Sequence, residues 1–126
     1  MKLTPNFKAS ELFVSESYPH LVDDWAKIPL AHQNNLRAIV NRLQVIRDIL
    51  GRPITITSGY RGPALNKEVK GDPNSYHLTG SAVDFVVSGM SAKAVQSRLD
   101  AWWGGGLGYG KGFTHIDLGP KRRFNY

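Results

Sequence analysis

The sequence predicts an α+β domain: a small, mainly antiparallel sheet with helices packed on it. Three observations predict it. One long segment, 31–50, repeats its apolar residues at helical spacing. Three short runs, 54–58, 82–87 and 113–118, are rich in β-branched and aromatic residues or alternate in the manner of strands. Glycine and proline punctuate the intervals. The helix carries one apolar stripe that needs a sheet face to bury it, and strands of this length supply one.

Composition sets the bounds. A chain of 126 residues is expected to be one domain, 1–126, with a single core. Its 41% hydrophobic and 21% charged residues are those of a soluble globular protein. The absence of cysteine rules out both disulfides and a thiolate metal site. Met1-Lys2-Leu3-Thr4-Pro5-Asn6 is not followed by an apolar segment, so no secretory signal is expected. No apolar run has the length of a membrane span. The net charge of +6 reads first as solubility and second as attraction to a polyanion. Nucleic acid is not the expected partner, because no matching motif is present and the basic residues do not interleave with aromatics. A monomer is expected.

Along the chain, Lys8-Ala9-Ser10-Glu11-Leu12-Phe13 suits a short helical turn, and 15–29 has loop character. In the long helix Leu36, Ile39, Val40, Leu43, Ile46 and Leu50 form the apolar stripe. Arg37, Asn41, Arg42, Gln44, Arg47 and Asp48 mostly take the solvated face, and His32 reads as a surface residue. Gly51 and Pro53 stop the helix. Pro53-Ile54-Thr55-Ile56-Thr57-Ser58 then makes a strand, broken by Gly59 and Gly62-Pro63, which leaves Arg61 just past a strand end.

Residues 62–74 read as a connector with turn chemistry at Gly71-Asp72-Pro73-Asn74. Ser91 is an N-cap for a second helix running through Val95 and Leu99 toward Trp102 or Trp103. Gly104-Gly105-Gly106-Leu107-Gly108-Tyr109-Gly110 ends that helix and reads as a loop that lets backbone pass close to a site. It lacks a Gly-Lys-Ser/Thr ending and follows a helix rather than a strand, so a phosphate-binding loop is excluded. The tail 121–126 reads as a solvated basic run or a contact for an acidic polymer.

The chemistry concentrates at Ser75-Tyr76-His77-Leu78-Thr79-Gly80-Ser81-Ala82-Val83-Asp84, which sets a histidine and a carboxylate seven positions apart. Asp84 is the one formal charge in the strand run 81–87. A lone carboxylate in a strand core is costly unless a metal ion, an arginine or a set of N–H donors meets it. Strand alternation puts Ala82, Asp84 and Val86 on one face, and Phe113, His115 and Asp117 on one face of the last run. Two histidines and an aspartate would leave a fourth tetrahedral position open, as in a catalytic zinc site. A pair of core histidines bonded to carboxylates fits the spacing equally well.

Ser58-Gly59-Tyr60-Arg61, then Asn66, then Ser75-x-His77-x-x-Gly80-x-Ala82-x-Asp84, then His115-Ile116-Asp117 resembles the zinc D-Ala-D-Ala carboxypeptidase and murein endopeptidase family, whose zinc scaffold the hedgehog signalling domain shares. The resemblance covers roughly residues 5 to 123. It implies a Zn²⁺ cofactor held by His77, Asp84 and His115, and hydrolysis of a peptidoglycan stem or cross-link bond involving D-amino acids. It also implies that Arg61 stabilises the reacting carbonyl oxygen and that Ser75, Tyr60 and Tyr109 contact substrate. The chain departs from relatives that carry an acid three positions before the last histidine, because Gly112 stands there. Asp117 is then the nearest carboxylate, expected as general base or as a group orienting an imidazole. A small phage or bacterial enzyme made in the cytoplasm and released onto the wall fits the resemblance, and an inactive wall-binding or phage structural module is the alternative.

Overall fold

The stripe of the long helix meets a five-stranded sheet. The structure, a computed structural model, describes residues 1–125; Tyr126, at the end of the basic tail, lies outside the described residues. A short hairpin of β1 (Lys2–Thr4) and β2 (Phe7–Lys8) opens the chain. The helix α1 (Leu30–Leu50), β3 (Ile54–Ser58), α2 (Pro63–Glu68), β4 (Ala82–Val87) and α3 (Ala92–Leu99) follow. The chain then returns through β5 (Gly106–Gly110), β6 (Phe113–Asp117) and β7 (Arg122–Asn125). Strand order is β3-β4-β6-β5-β7, antiparallel except for the parallel pair β5–β7. The architecture is the α+β one that the sequence implies.

Leu36, Ile39, Val40, Leu43 and Ile46 of α1 are all 0% exposed and join one cluster with Val83, Phe85, Leu107 and Ile116 of the sheet. Truncating one such side chain to alanine costs about 2–5 kcal/mol. The Gly51 N–H closes α1 on the Arg47 carbonyl, and Ser91 Oγ caps α3 by accepting from the Ala94 N–H. Among the described residues no helix is long and apolar enough to cross a membrane.

Four local expectations are corrected. The connector contains α2, a six-residue helix with a single buried apolar side chain, Leu65, and so too short to leave a periodic pattern. The glycine run is not a loop: 106–110 forms β5, ordered by backbone pairing to strands on both sides rather than by its side chains. Likewise 122–125 of the basic tail is the edge strand β7. Gln44 is buried rather than solvated: its Oε1 accepts from Thr4 Oγ1 and the Asn6 N–H, and its Nε2 donates to Asn6 and Asp48. That amide fastens the opening hairpin to α1.

Candidate active site

Alternation along the sheet separates core from cleft. Val83, Phe85 and Ile116 face α1, while Asp84, His115 and Asp117 face the other way into a cleft of about 880 Å³. Asp84 stands opposite His115 in the β4–β6 register, and Ser58 stands opposite Asp84. His77 arrives from a separate element, the 3-10 turn Tyr76–Thr79. Ser75 Oγ caps that turn by accepting from the His77 N–H at 3.2 Å, and Gly80 closes it in the left-handed region at φ 79°.

The three side chains converge. One ligating atom from each of His77, Asp84 and His115 lies within 4.8 Å of the others, and all three residues are buried. The His77 Nδ1–H donates to the Gly59 carbonyl at 2.7 Å, since a carbonyl oxygen can only accept. In the neutral ring this leaves Nε2 with its lone pair, buried, without a hydrogen-bond partner and 3.3 Å from Asp84 Oδ1. Two electron-rich atoms facing each other in a buried space call for a cation between them. His115 presents the opposite nitrogen: its Nδ1 lies 2.8 Å from Asp84 Oδ1, and its Nε2 2.7 Å from Asp117 Oδ2.

The charges are tuned accordingly. Burial alone would raise the Asp84 pKa, but hydrogen bonding to the His115 imidazole, and to that of His77 when its Nε2 carries a proton or a cation stands between them, holds it well below the usual carboxylate range. Burial alone would lower that of His115, but hydrogen bonds to Asp117 and Asp84 raise it. For Asp117 the hydrogen bonds from His115 and Arg122 outweigh burial and bring the pKa down to about 2. Asp117 is 0% exposed. Its Oδ1 accepts from the Gly106 and Gly119 N–H groups and from Arg122, and its Oδ2 from Arg122 and faces His115 Nε2. Arg61 lines the same cleft, with Nη2 3.9 Å from Asp84 Oδ2 and Nη1 donating to Asn66 Oδ1 at 3.1 Å.

A family model described as Peptidase M15 matches residues 5–117. The chain belongs to the peptidase M15 family. It is 30% identical over 95 residues to the peptidoglycan L,D-endopeptidase MepK of Escherichia coli K12, covering 68% of this chain and 52% of that protein. It is 36% identical over 76 residues to a probable peptidoglycan L,D-endopeptidase MepK of Haemophilus influenzae, covering 55% of this chain and 41% of that one. The chain thus spans about half the length of the curated relatives it matches.

In this M15 chain His77, Asp84, His115, Asp117, Arg61 and Ser75 all meet at the cleft. Tyr60 and Tyr109, expected at the substrate, do not line it. Tyr60 is 6% exposed, its hydroxyl 2.8 Å from His32 Nδ1, which makes His32 a half-buried partner rather than a surface residue. Tyr109 pairs in register with Thr114, one position off His115, so it points to the opposite face and lines a smaller hollow beside Met90. Reading 104–110 as a loop concealed that alternation. Tyr76, Arg122 and Phe124, not among the residues expected at the site, also line the cleft. The signal was the alternation Arg122, Phe124 in a tail read only for its charge.

Proposed function

We propose that this chain is a zinc-dependent peptidoglycan endopeptidase that cuts an L,D peptide bond. The observation that carries the reading is the buried, unpartnered Nε2 of His77 facing Asp84 Oδ1, in a three-residue set open to a substrate-sized cleft. Two imidazoles and a carboxylate are the nitrogen and oxygen donors of catalytic zinc sites that keep a position open. Zinc bound by them supplies Lewis-acid polarisation of a carbonyl and acidifies water at neutral pH. The names of the M15 relatives, peptidoglycan L,D-endopeptidases, support this choice of substrate class.

The chain's own residues divide the remaining work. Arg61, permanently charged and fixed by Asn66, meets the negative charge that grows on the reacting carbonyl oxygen. Asp117 takes the orienting role of the two open to it: its oxygens are already engaged in five contacts from four residues and its side chain is closed to solvent, a poor setting for a general base. Ser75 acts first on His77, fixing the turn that carries it.

The test is mass spectrometry of muropeptides released from purified sacculi by zinc-loaded chain. Products cut at an L,D bond support the proposal; uncut sacculi that nevertheless retain the protein support the second reading, a binding module. That second reading draws on Gly112 and on the engaged state of Asp117, which leave the base unassigned.

A further inference from the structure

The edge strand β7 sits two strands from His115, yet two of its side chains reach the cleft. In register, Arg122 of β7 pairs with Gly106 of β5, which pairs with Asp117 of β6. One step along, Phe124 pairs with Gly108, which pairs with His115. The two glycines therefore leave a groove across β5. A Cβ at Gly106 would strike both Asp117 carboxylate oxygens and the Arg122 guanidinium, and one at Gly108 would strike the Phe124 ring. Through that groove Arg122 meets Asp117 fork to fork, with Nη1 3.0 Å from Oδ1 and Nη2 2.8 Å from Oδ2. The guanidinium carbon also lies over two rings, 5.1 Å from the Tyr76 centroid and 5.4 Å from that of Phe124.

We propose that Arg122 is a positioning residue: through the Gly106 gap it locks the Asp117 carboxylate, which in turn locks His115 with Nδ1 turned toward Asp84. The C-terminal strand is thereby a working part of the metal centre rather than a trailing edge. The fork matters, not the charge alone, because the planar guanidinium grips both carboxylate oxygens while Oδ2 also faces His115 Nε2. This inference rests on the metal-site reading for its effect on zinc, while its effect on the His115 ring is independent of metal.

The experiment compares wild type, Arg122→Gln and Arg122→Lys. Zinc affinity is measured by chelator competition, the cobalt-substituted chain by its visible spectrum, and the zinc-free chain by ¹⁵N NMR of the His115 ring. Arg122→Gln is expected to bind zinc about 10- to 100-fold more weakly, the range for losing a group that orients a metal-bound histidine. Its cobalt spectrum should change and its His115 nitrogen signals should shift. Arg122→Lys should recover only part of the affinity. Wild-type affinity, cobalt spectrum and ring signals in a folded Arg122→Gln overturn the proposal, as does full recovery by lysine. Should Arg122→Gln not fold, Arg122→Lys carries the same three readouts. If wild type holds no zinc, the metal reading fails by itself; the ring signals then decide, shifted for the proposal and unchanged against it.

Discussion

Asp84 and His115 are register partners across β4 and β6, with Asp84 Oδ1 2.8 Å from His115 Nδ1. Two members of the candidate ligand set are thus fixed by the backbone ladder of neighbouring strands, and only His77 comes from a turn. Sites built on strands are held more tightly than sites on loops. The set should therefore survive changes in the surrounding loops and fail on loss of any member.

Wild type dialysed against dilute zinc should retain one ion per chain by elemental analysis. His77→Ala, Asp84→Ala and His115→Ala should each retain far less while keeping the far-ultraviolet circular dichroism of the fold. Near-stoichiometric zinc in any of the three would remove that residue from the ligand set.

Arg61→Ala should keep its zinc and still sediment with sacculi, yet turn over about a hundred- to a thousandfold more slowly, as for loss of one oxyanion donor. Steady-state rates alongside metal analysis test this. A variant that loses zinc together with activity would mean that Arg61 acts on Asp84, 3.9 Å away, and not on substrate.

Gln44→Ala leaves the buried Thr4 hydroxyl unsatisfied, which costs about 1–3 kcal/mol. Thermal unfolding should show a Tm several degrees lower with the zinc affinity of the folded chain unchanged. An unaltered Tm would mean that the hairpin is not fastened through this amide.

Burial, with a further contribution from Asp23, raises the Tyr60 pKa above the ordinary value of 10.0. The folded state therefore favours the protonated phenol. Its contribution to stability is complete below pH 10 and is lost as pH rises through the folded pKa. Absorbance titration near 295 nm, wild type minus Tyr60→Phe, should show one late-titrating tyrosine, and the stability difference between the two should shrink at alkaline pH. A Tyr60 that titrates at the ordinary value of 10.0 would contradict the burial of its hydroxyl beside His32.

The legible parts of this protein were those where one side chain carries the information. The helix stripe, the β-branched strand at 54–58 and the face that Asp84 and His115 each take on their own strands follow from periodicity; that the two strands are neighbours does not. The illegible parts were those fixed by what is missing. Gly106 and Gly108 show no strand propensity, yet their empty positions let Arg122 and Phe124 over β5, and neither fact exists before the β5–β7 pairing is known. Tyr109 was misplaced for the same reason, because a loop has no faces. The resemblance implies a substrate contact for Tyr60, but its backbone N–H bonds to the Leu12 carbonyl and its ring turns toward His32.

In the function proposed above, His77, Asp84 and His115 hold the metal on which peptidoglycan hydrolysis depends. The most direct test is a zinc titration into chelator-stripped chain, followed by release of soluble peptides from sacculi. Negligible release from stripped chain, a linear rise with added zinc and a plateau at one equivalent are expected. Full release by stripped chain, or none at one equivalent of bound zinc, would contradict the proposed function.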